Sequence, residues 1–408
     1  MFDSSSSVIV GLEVGTSKVC AVVGELSPEG ALRITGLGQS RSRGVRKGEI
    51  VDASLATEDI RNAIAEAETM ANVEIRSVYL GVSGAHLRGF NNRGRQHIVS
   101  ADREIMEDDV LDVVKNAKAI NLAADHSVVH VVRQHFLVDG QPGIINPVGL
   151  SGAQIEVDVH VVHGVTNRLS NPIRAVKSLQ LEVEEVVFNG LASSLSVLSS
   201  QEKELGALVI DLGAGVTEYV VYSDGIIRHS GVLAVGGDHV TNDLAYGLKL
   251  PMGRAEQLKI EHGGLQVDES VKGRTLPTGN SLGLVEKTVN LEHLRRIMAA
   301  RIEEIFEVIA DDLEEARVLE YLRAGVFLCG GGARIPDIVK VGERVFSLPV
   351  VVGSTQSISG LVATLDQPEF ATGIGLVKFG SFQSDRRKDR GAISSRLKTT
   401  LSQMFNRA

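Results

Sequence analysis

Residues 11–18 read Gly-Leu-Glu-Val-Gly-Thr-Ser-Lys, and they join two apolar runs at 8–12 and 18–23. An apolar run that ends in an acidic residue and continues through glycine predicts a strand, a tight turn and a second strand. The same pattern recurs at 207–222, where Asp211 and Gly213 take the places of Glu13 and Gly15. Because both pairs are separated by the same offset of 198 residues, the sequence predicts a duplicated domain with two similar halves.

Helical patterns accompany each half, at 54–71 and 291–322, and their alternation with strands predicts α/β layering. Residues 79–166 do not follow the strand–helix alternation of the two halves, because one helical stretch at 108–124 is followed by several valine-rich strands. We interpret this segment as an inserted α+β subdomain. A second insertion is predicted at about 241–300.

Charge is distributed unevenly along the 408 residues, whose formal net charge is −9. Residues 381–408 carry seven basic and two acidic side chains, so the rest of the chain is strongly acidic. An acidic body argues against nucleic-acid binding, which needs a basic footprint. The two cysteines lie in apolar runs, and the start of the chain lacks a secretory signal, so we expect a cytoplasmic protein.

The two matched turns have the chemistry of a nucleoside-triphosphate site. Glycines let backbone N–H groups approach phosphate oxygens, and Lys18 supplies a positive charge for the β- and γ-phosphates. The carboxylates of Glu13 and Asp211 can hold Mg²⁺ through its water ligands. Further phosphate contacts are predicted from the turn glycines and hydroxyls, namely Gly15, Thr16, Ser17, Gly213, Gly215 and Thr217.

Two more glycine-rich segments extend the predicted site. Gly330, Gly331 and Gly332 follow a buried strand and precede a helical stretch at 335–346, so the chain there can pass flat against a base and ribose. Gly236 and Gly237 precede a helix predicted from His239, and helix N-termini favour anions.

These motifs resemble those of the actin/DnaK/sugar-kinase superfamily, and within it the chain resembles the FtsA family of bacterial division proteins. The superfamily resemblance rests on the early turn at 13–16 and on 211–217, 236–237, 256–259 and 330–332. The resemblance to FtsA covers nearly the whole chain and rests on 11–18, 188–194, 222–244, 259–262 and the terminal helix. It implies an actin-like (ribonuclease H-like) fold with ATP and Mg²⁺ between the halves, and it implies that Gly237, Glu256, Lys259 and Gly331 line the ribose and base. Glu13 departs from the superfamily, which usually has aspartate there. We expect at most weak ATP hydrolysis, since no residue stands out as a dedicated base.

The resemblance also implies a division of the chain and its partners. The first half would comprise 1–78 and 167–205, the second half 206–240 and 301–380, with a linker at 381–392. The implied partners are the C-terminal tail of FtsZ at 241–300, further copies of the chain in a filament, and other division proteins at 79–166.

The last 16 residues, 393–408, have the pattern of a membrane-binding helix. At 100° per residue, the five large apolar side chains fall within an arc of about 120°, and basic side chains border that arc. The apolar set is Ile393, Leu397, Leu401, Met404 and Phe405, and the basic set is Arg396, Lys398 and Arg407. We therefore expect peripheral attachment to anionic lipids, and the resemblance implies that these belong to the inner leaflet at the division site.

Two alternatives remain open from the sequence. A small-molecule kinase of the same superfamily would leave the basic tail unexplained, and a pilus-type actin-like adaptor should lack that tail. A metal site at His160 and His163 is disfavoured because residues three apart on a strand face opposite sides of the sheet.

Overall fold

The structure, a computed structural model, describes residues 7–277, 288–355, 359–360 and 366–384. The predicted linker beyond 384 and the predicted membrane helix at 393–408 lie outside the described residues. We number the elements in chain order. In the first part of the chain they are β1 Ser7–Val14, β2 Lys18–Leu26, β3 Leu32–Arg41, β4 Val45–Arg46, β5 Glu49–Ile50, α1 Ala53–Ala71, β6 Ser77–Val82, β7 Arg88–His97, α2 Glu107–Lys118, β8 His126–Val138, β9 Gln141–Ile144, β10 Gln154–Val165, α3 Thr166–Lys177, β11 Glu182–Phe188, α4 Asn189–Val197 and α5 Ser200–Leu205.

The second part begins with a hairpin like that of the first. Its elements are β12 Ala207–Leu212, β13 Thr217–Ser223, β14 Ile226–Leu233, α6 Gly237–Leu248, α7 Met252–His262, β15 Thr275–Pro277, β16 Thr288–Asn290, α8 Leu291–Glu315, β17 Gly325–Cys329, α9 Ile338–Phe346, β18 Val350–Val352, β19 Ser359–Gly360 and a helix, α10, that covers 371–384.

The predicted duplication is confirmed by the two main sheets. The first has the strand order β11-β6-β1-β2-β3-β19 and the second has β14-β13-β12-β17-β18. In each sheet, three consecutive strands form an antiparallel meander, and two further strands are added in parallel beside its first strand. The meander is β1-β2-β3 in the first sheet and β12-β13-β14 in the second. The two turns also close identically, because Gly15 N–H donates to the Lys18 carbonyl and Gly213 N–H donates to the Val216 carbonyl, each at 3.0 Å.

The inserted segment forms its own four-stranded sheet, in the order β7-β10-β8-β9, with α2 packed on it. A buried polar network joins this sheet to β14 of the second half. His160 Nδ1 lies 2.8 Å from Asn91 Oδ1, and His160 Nε2 lies 2.8 Å from Ser230 Oγ. On the other side, Phe188 N–H donates to His130 Nε2 at 3.0 Å. The insertion therefore contacts both halves through buried histidines.

Residues 241–300 do not have a separate core among the described residues. Their buried side chains, such as Leu244, Leu258 and Met298, belong to one apolar cluster with β12 and α8. The face of α8 at Met298, Ile302, Ile305 and Ile309 supplies much of that cluster, as expected from helical spacing.

The sequence predicts that 301–380 belong to the second half, but in the structure the end of this range packs on the first half. β19 pairs in parallel with β3, and α10 buries Ile374, Leu376 and Val377 against the first sheet. Residue Ser381, assigned to the linker from sequence, is buried in α10 as well. The apolar pattern of α10 is compatible with either sheet, so only the tertiary packing decides between them.

Four predicted helix ends differ from those observed. α8 ends at Glu315 rather than 322, because Arg317 adopts a left-handed φ of 56°. α9 begins at Ile338 rather than 335, since Pro336 favours extended backbone at the residue before it. α2 ends at Lys118 rather than 124, and α6 begins at Gly237 rather than His239.

The packing of α10 on α4 gives a first testable prediction. A Cβ at Gly375 would overlap the carbonyl oxygen of Ala192 on α4. We expect Gly375→Ala to lower the free energy of unfolding by about 2 kcal/mol, because the two helices must separate. The matched control is Gly253→Ala in α7, where no atom lies within 4 Å of the added Cβ, so stability should stay equal or rise. Equal urea midpoints for wild type and Gly375→Ala would contradict this packing.

Candidate functional site

The two matched turns face each other across the cleft between the halves. A Cβ on Gly215 would lie 2.5 Å from Thr16 Oγ1, so the second turn approaches the first as closely as glycine allows. Thr16 Oγ1 also accepts a hydrogen bond from Gly48 N–H at 2.9 Å. The predicted phosphate residues of both halves are thereby brought to one place.

Lys18 lies at the base of this cleft. Its ammonium group donates to the Glu369 carbonyl, lies 3.5 Å from Glu13 Oε2 and sits 5.2 Å from the centroid of the Phe370 ring. Burial lowers the pKa of Lys18, but the nearby negative groups, with Glu13 foremost, outweigh burial and raise that pKa. Lys18 is therefore a fixed positive charge at neutral pH.

Three carboxylates lie around Lys18 and the end of β12. Asp211 is buried and accepts a hydrogen bond from Thr372 Oγ1 at 2.8 Å. Burial and the charge of Glu13 raise the pKa of Asp211 to about 6. Its cross-strand neighbour Glu218 is 3 % exposed, and burial together with Asp211 raises the pKa of Glu218 well above its ordinary value.

Several predicted hydroxyl donors have different surroundings. The Thr217 hydroxyl is fully buried and donates to the Val235 carbonyl at 2.7 Å, so it is already engaged within the second half. Ser17 is exposed, and its carbonyl accepts from Ser42 N–H at 3.0 Å. Thr16 alone among the three has its hydroxyl between the two turns.

The residues expected around the ribose lie together at the start of α6. Lys259 Nζ donates to the Gly237 carbonyl at 3.1 Å and pairs with Glu256 Oε2 at 2.6 Å. The first N–H groups of α6 donate to the second turn, from Gly237 to the Gly213 carbonyl at 3.0 Å. This cluster is therefore connected to the second turn by hydrogen bonds.

The glycine-rich segment after β17 borders the same cleft. Gly330 has a φ of +80°, a conformation that favours glycine, and it packs directly against Asp211. Gly331 is exposed, and no atom lies within 4 Å of where its Cβ would be. The structure thus leaves an open glycine surface beside the end of β12, next to the second turn.

The geometry fits a magnesium–nucleotide ligand. Glu13 Oε2 is buried and accepts no hydrogen bond within the part of the chain that the structure describes. That part contains no cluster of three or more His, Cys, Asp or Glu residues suited to a metal ion. Two carboxylates, Glu13 and Asp211, match the preference of Mg²⁺ for few protein ligands and retained water, and the Lys18 ammonium group beside them suits phosphate oxygens.

Sequence reasoning missed Lys47, Glu218 and Glu369. Lys47 and Glu369 come from segments distant in sequence from the turns, and only the fold brings them to the cleft. Glu218 could have been found, because it stands opposite Asp211 in the predicted hairpin, where an apolar residue would otherwise be expected. Within the described residues, no helix has the length and apolar character needed to span a membrane.

Comparison with known proteins agrees with these features. A family model described as "Cell division protein FtsA" matches residues 208–375, and one described as "SHS2 domain inserted in FTSA" matches residues 84–163, within the inserted segment. Among solved structures, a chain of a PilM–PilN type IV pilus biogenesis complex has a TM-score of 0.62 at 16 % identity, covering 91 % of this chain and 98 % of that one. MreB5 of Spiroplasma citri bound to ADP has a TM-score of 0.56 at 15 % identity, covering 93 % and 98 %. These likenesses show the actin-like fold.

Relatives of known name are much more similar in sequence. The cell division protein FtsA of Borreliella burgdorferi is 37 % identical, covering 97 % of this chain and 98 % of its own length. FtsA of Pseudomonas aeruginosa is 34 % identical, covering 92 % of this chain and 90 % of its own length. FtsA of Escherichia coli K12 is 35 % identical, covering 91 % and 90 %. At this identity over almost the whole length, the chain belongs to the FtsA family of actin-like cell division proteins.

Proposed function

We propose that this protein is a nucleotide-dependent adaptor, which binds ATP with Mg²⁺ in the cleft between its halves. The observation that carries this proposal is the pair of identically closed turns that meet at Thr16 and Gly215. Lys18 would neutralise phosphate charge, and Glu13 with Asp211 would hold Mg²⁺. ATP with Mg²⁺ would supply the phosphate charge and the metal ion that residues of both turns can bind at the same time.

The proposal assigns the base and ribose to the other rim of the cleft. Gly331 offers the open surface for a base, while Gly237, Glu256 and Lys259 offer polar groups for a ribose. The MreB structures bound to ADP and to AMPPNP add support, because those proteins share this fold.

As an adaptor, the protein would link the membrane to other division proteins through separate segments of its chain. We propose that 393–408 anchors the chain to anionic lipids at the cytoplasmic face of the membrane, and that 241–300 binds the C-terminal tail of FtsZ. Self-association into filaments and recruitment of other division proteins through 79–166 complete the proposed role. The basic, amphipathic pattern of the tail and membership of the FtsA family support this assignment.

Membrane attachment is tested by Leu397→Glu. A carboxylate in the middle of the apolar arc should weaken binding to anionic vesicles by about 30-fold, because it removes buried apolar area and repels the lipid phosphates. Co-sedimentation with vesicles containing phosphatidylglycerol measures the effect. The matched control is Thr399→Glu, which adds the same charge outside the arc and should cost far less. Equal co-sedimentation of wild type and Leu397→Glu would refute the anchor.

A further inference from the structure

A short hairpin, β4–β5, lies at the junction of the two phosphate turns. Gly48 N–H at its tip donates to Thr16 Oγ1 of the first turn at 2.9 Å. A Cβ on Gly215 of the second turn would lie 2.9 Å from both the Cα and the N of Lys47. The tip therefore contacts both halves at the point where they approach each other.

The tip has an unusual residue for its geometry. Val45 pairs with Ile50 and Arg46 with Glu49, so Lys47 and Gly48 form a two-residue loop. Their φ values of 49° and 75° are those of a type I′ turn, whose first position favours Asn, Asp or Gly. Lysine there is strained relative to asparagine, and such strain is concentrated at functional sites.

The Lys47 ammonium group is available to a ligand. Lys47 is exposed, and it has neither a hydrogen bond nor an ion pair from its side chain with any other described residue. Its charge reaches the second half, since His239 on α6 has a lowered pKa owing to burial first and to the charge of Lys47 second. An unpaired cation thus lies above the second turn, close to the start of α6.

We propose that Lys47 binds the terminal phosphate of the nucleoside triphosphate and makes the cleft prefer ATP over ADP. The inference deepens the proposed function and rests on it. With the base at Gly331 and the ribose at Lys259, the phosphates run toward the junction of the two turns, and the last phosphate lies nearest the hairpin tip. A diphosphate ends before it reaches Lys47, so only a triphosphate gains this charge-assisted contact.

The same hairpin contacts both ends of the inserted subdomain. A Cβ on Gly48 would lie 2.9 Å from Ser83 Oγ and from Gly84 N, at the entry to the insertion. Glu49 Oε1 pairs with Arg168 Nη1 at 2.6 Å, just after the exit strand β10. A phosphate that fixes Lys47 therefore also fixes the hairpin on which the insertion rests.

The test uses Lys47→Asn in the full-length protein. Asparagine suits the type I′ turn better than lysine, so the variant should fold at least as well as wild type while lacking the charge. Titration with Mg-ATP and with Mg-ADP should show that ATP affinity falls by about tenfold or more and ADP affinity changes by less than twofold. Lys47→Arg should restore most of the preference for ATP. Lys118→Asn, which removes the same charge from α2, is the control and should change neither affinity.

The outcomes separate this inference from the proposed function. If wild type binds both nucleotides and Lys47→Asn keeps the wild-type ratio of affinities, the role of Lys47 is overturned while the cleft stands. If wild type binds neither nucleotide, both the proposed function and this inference are refuted. For the link to the insertion, amide exchange in β7–β10 should differ between ATP and ADP in wild type, and this difference should shrink in Arg168→Gln at unchanged affinity. Identical exchange with both nucleotides in wild type would overturn that link.

Discussion

Asp211→Asn should lower the affinity for Mg-ATP by about 100-fold or more while making the nucleotide-free protein more stable. The affinity should fall because the variant removes one of the two carboxylates proposed to hold Mg²⁺, and a neutral amide attracts the cation far less than a carboxylate does. Asparagine has the same shape and can still accept the hydrogen bond that Thr372 donates at 2.8 Å. The side-chain packing around β12 should therefore persist.

The stability change has the opposite sign. The pKa of Asp211 is raised to about 6 by burial and by Glu13, so the carboxylate is ionised at pH 7 in both states, but its ionisation costs more free energy in the folded state than in the unfolded chain. A raised carboxyl pKa contributes stability that is fully present below the unfolded value and is lost as pH rises through about 6. Replacing the carboxylate should then raise the free energy of unfolding by up to about 3 kcal/mol at pH 7.

Isothermal titration and urea unfolding of the same variant measure both effects. The control is Asp311→Asn, the same substitution at an exposed position on α8, which should change neither quantity. An affinity equal to that of wild type would exclude Asp211 from the metal site. Lower stability would show instead that Asp211 has a structural role.

Mild acid should loosen the inserted subdomain. Two buried histidines hold it, and burial lowers the pKa of His130 to about 4 and that of His160 to about 3, with other histidines adding to the effect at His160. Neither ring can take up a proton in the folded state until the pH falls far below the unfolded pKa of about 6.5. The unfolded chain binds those protons first.

Because the unfolded chain takes up these protons before the folded protein does, acid lowers the free energy of unfolding. The stabilisation from these two sites is complete above about pH 6.5 and is lost as the pH falls, by about 1.4 kcal/mol per pH unit for each histidine. Between pH 6.5 and 4 the pair should cost roughly 5 kcal/mol, the largest stability effect that we expect.

Urea unfolding at a series of pH values measures this slope. His160→Gln keeps an amide that can hydrogen-bond to Asn91 and Ser230 but cannot take up a proton. Between pH 6 and 4, its free energy of unfolding should therefore fall less steeply with acid than that of wild type, by about 1.4 kcal/mol per pH unit. His97→Gln is the control, because His97 is exposed on β7. An unchanged slope in His160→Gln would show that this histidine does not hold the insertion through its neutral form.

The hairpin turns could be predicted from sequence because their chemistry is local. An acidic residue, a glycine and two apolar runs determine a turn within a dozen residues, and the repeat of that pattern at Asp211 and Gly213 indicated the duplication. Helix α1 was predicted for the same reason, since residues 54–71 carry helical spacing and the observed helix is Ala53–Ala71.

The rest depended on contacts between distant segments. The packing of α10 on α4 depends on the contact of Gly375 with Ala192, which lie far apart in the chain. Lys47 was missed because an exposed lysine in a short hairpin has no distinctive pattern until the fold places Gly215 beside it. Thr217 has the right residue type for a phosphate ligand, yet its hydroxyl is engaged by Val235, a contact that the motif alone does not reveal.

Calorimetric titration of the full-length wild-type protein with Mg-ATP is the most direct test of the nucleotide cleft. We expect saturable binding of one ATP per chain, weaker binding of ADP, and a large loss of ATP affinity when Mg²⁺ is chelated. Absence of saturable binding at millimolar ATP with Mg²⁺ present would contradict the account, because the two matched turns would then have only a structural role.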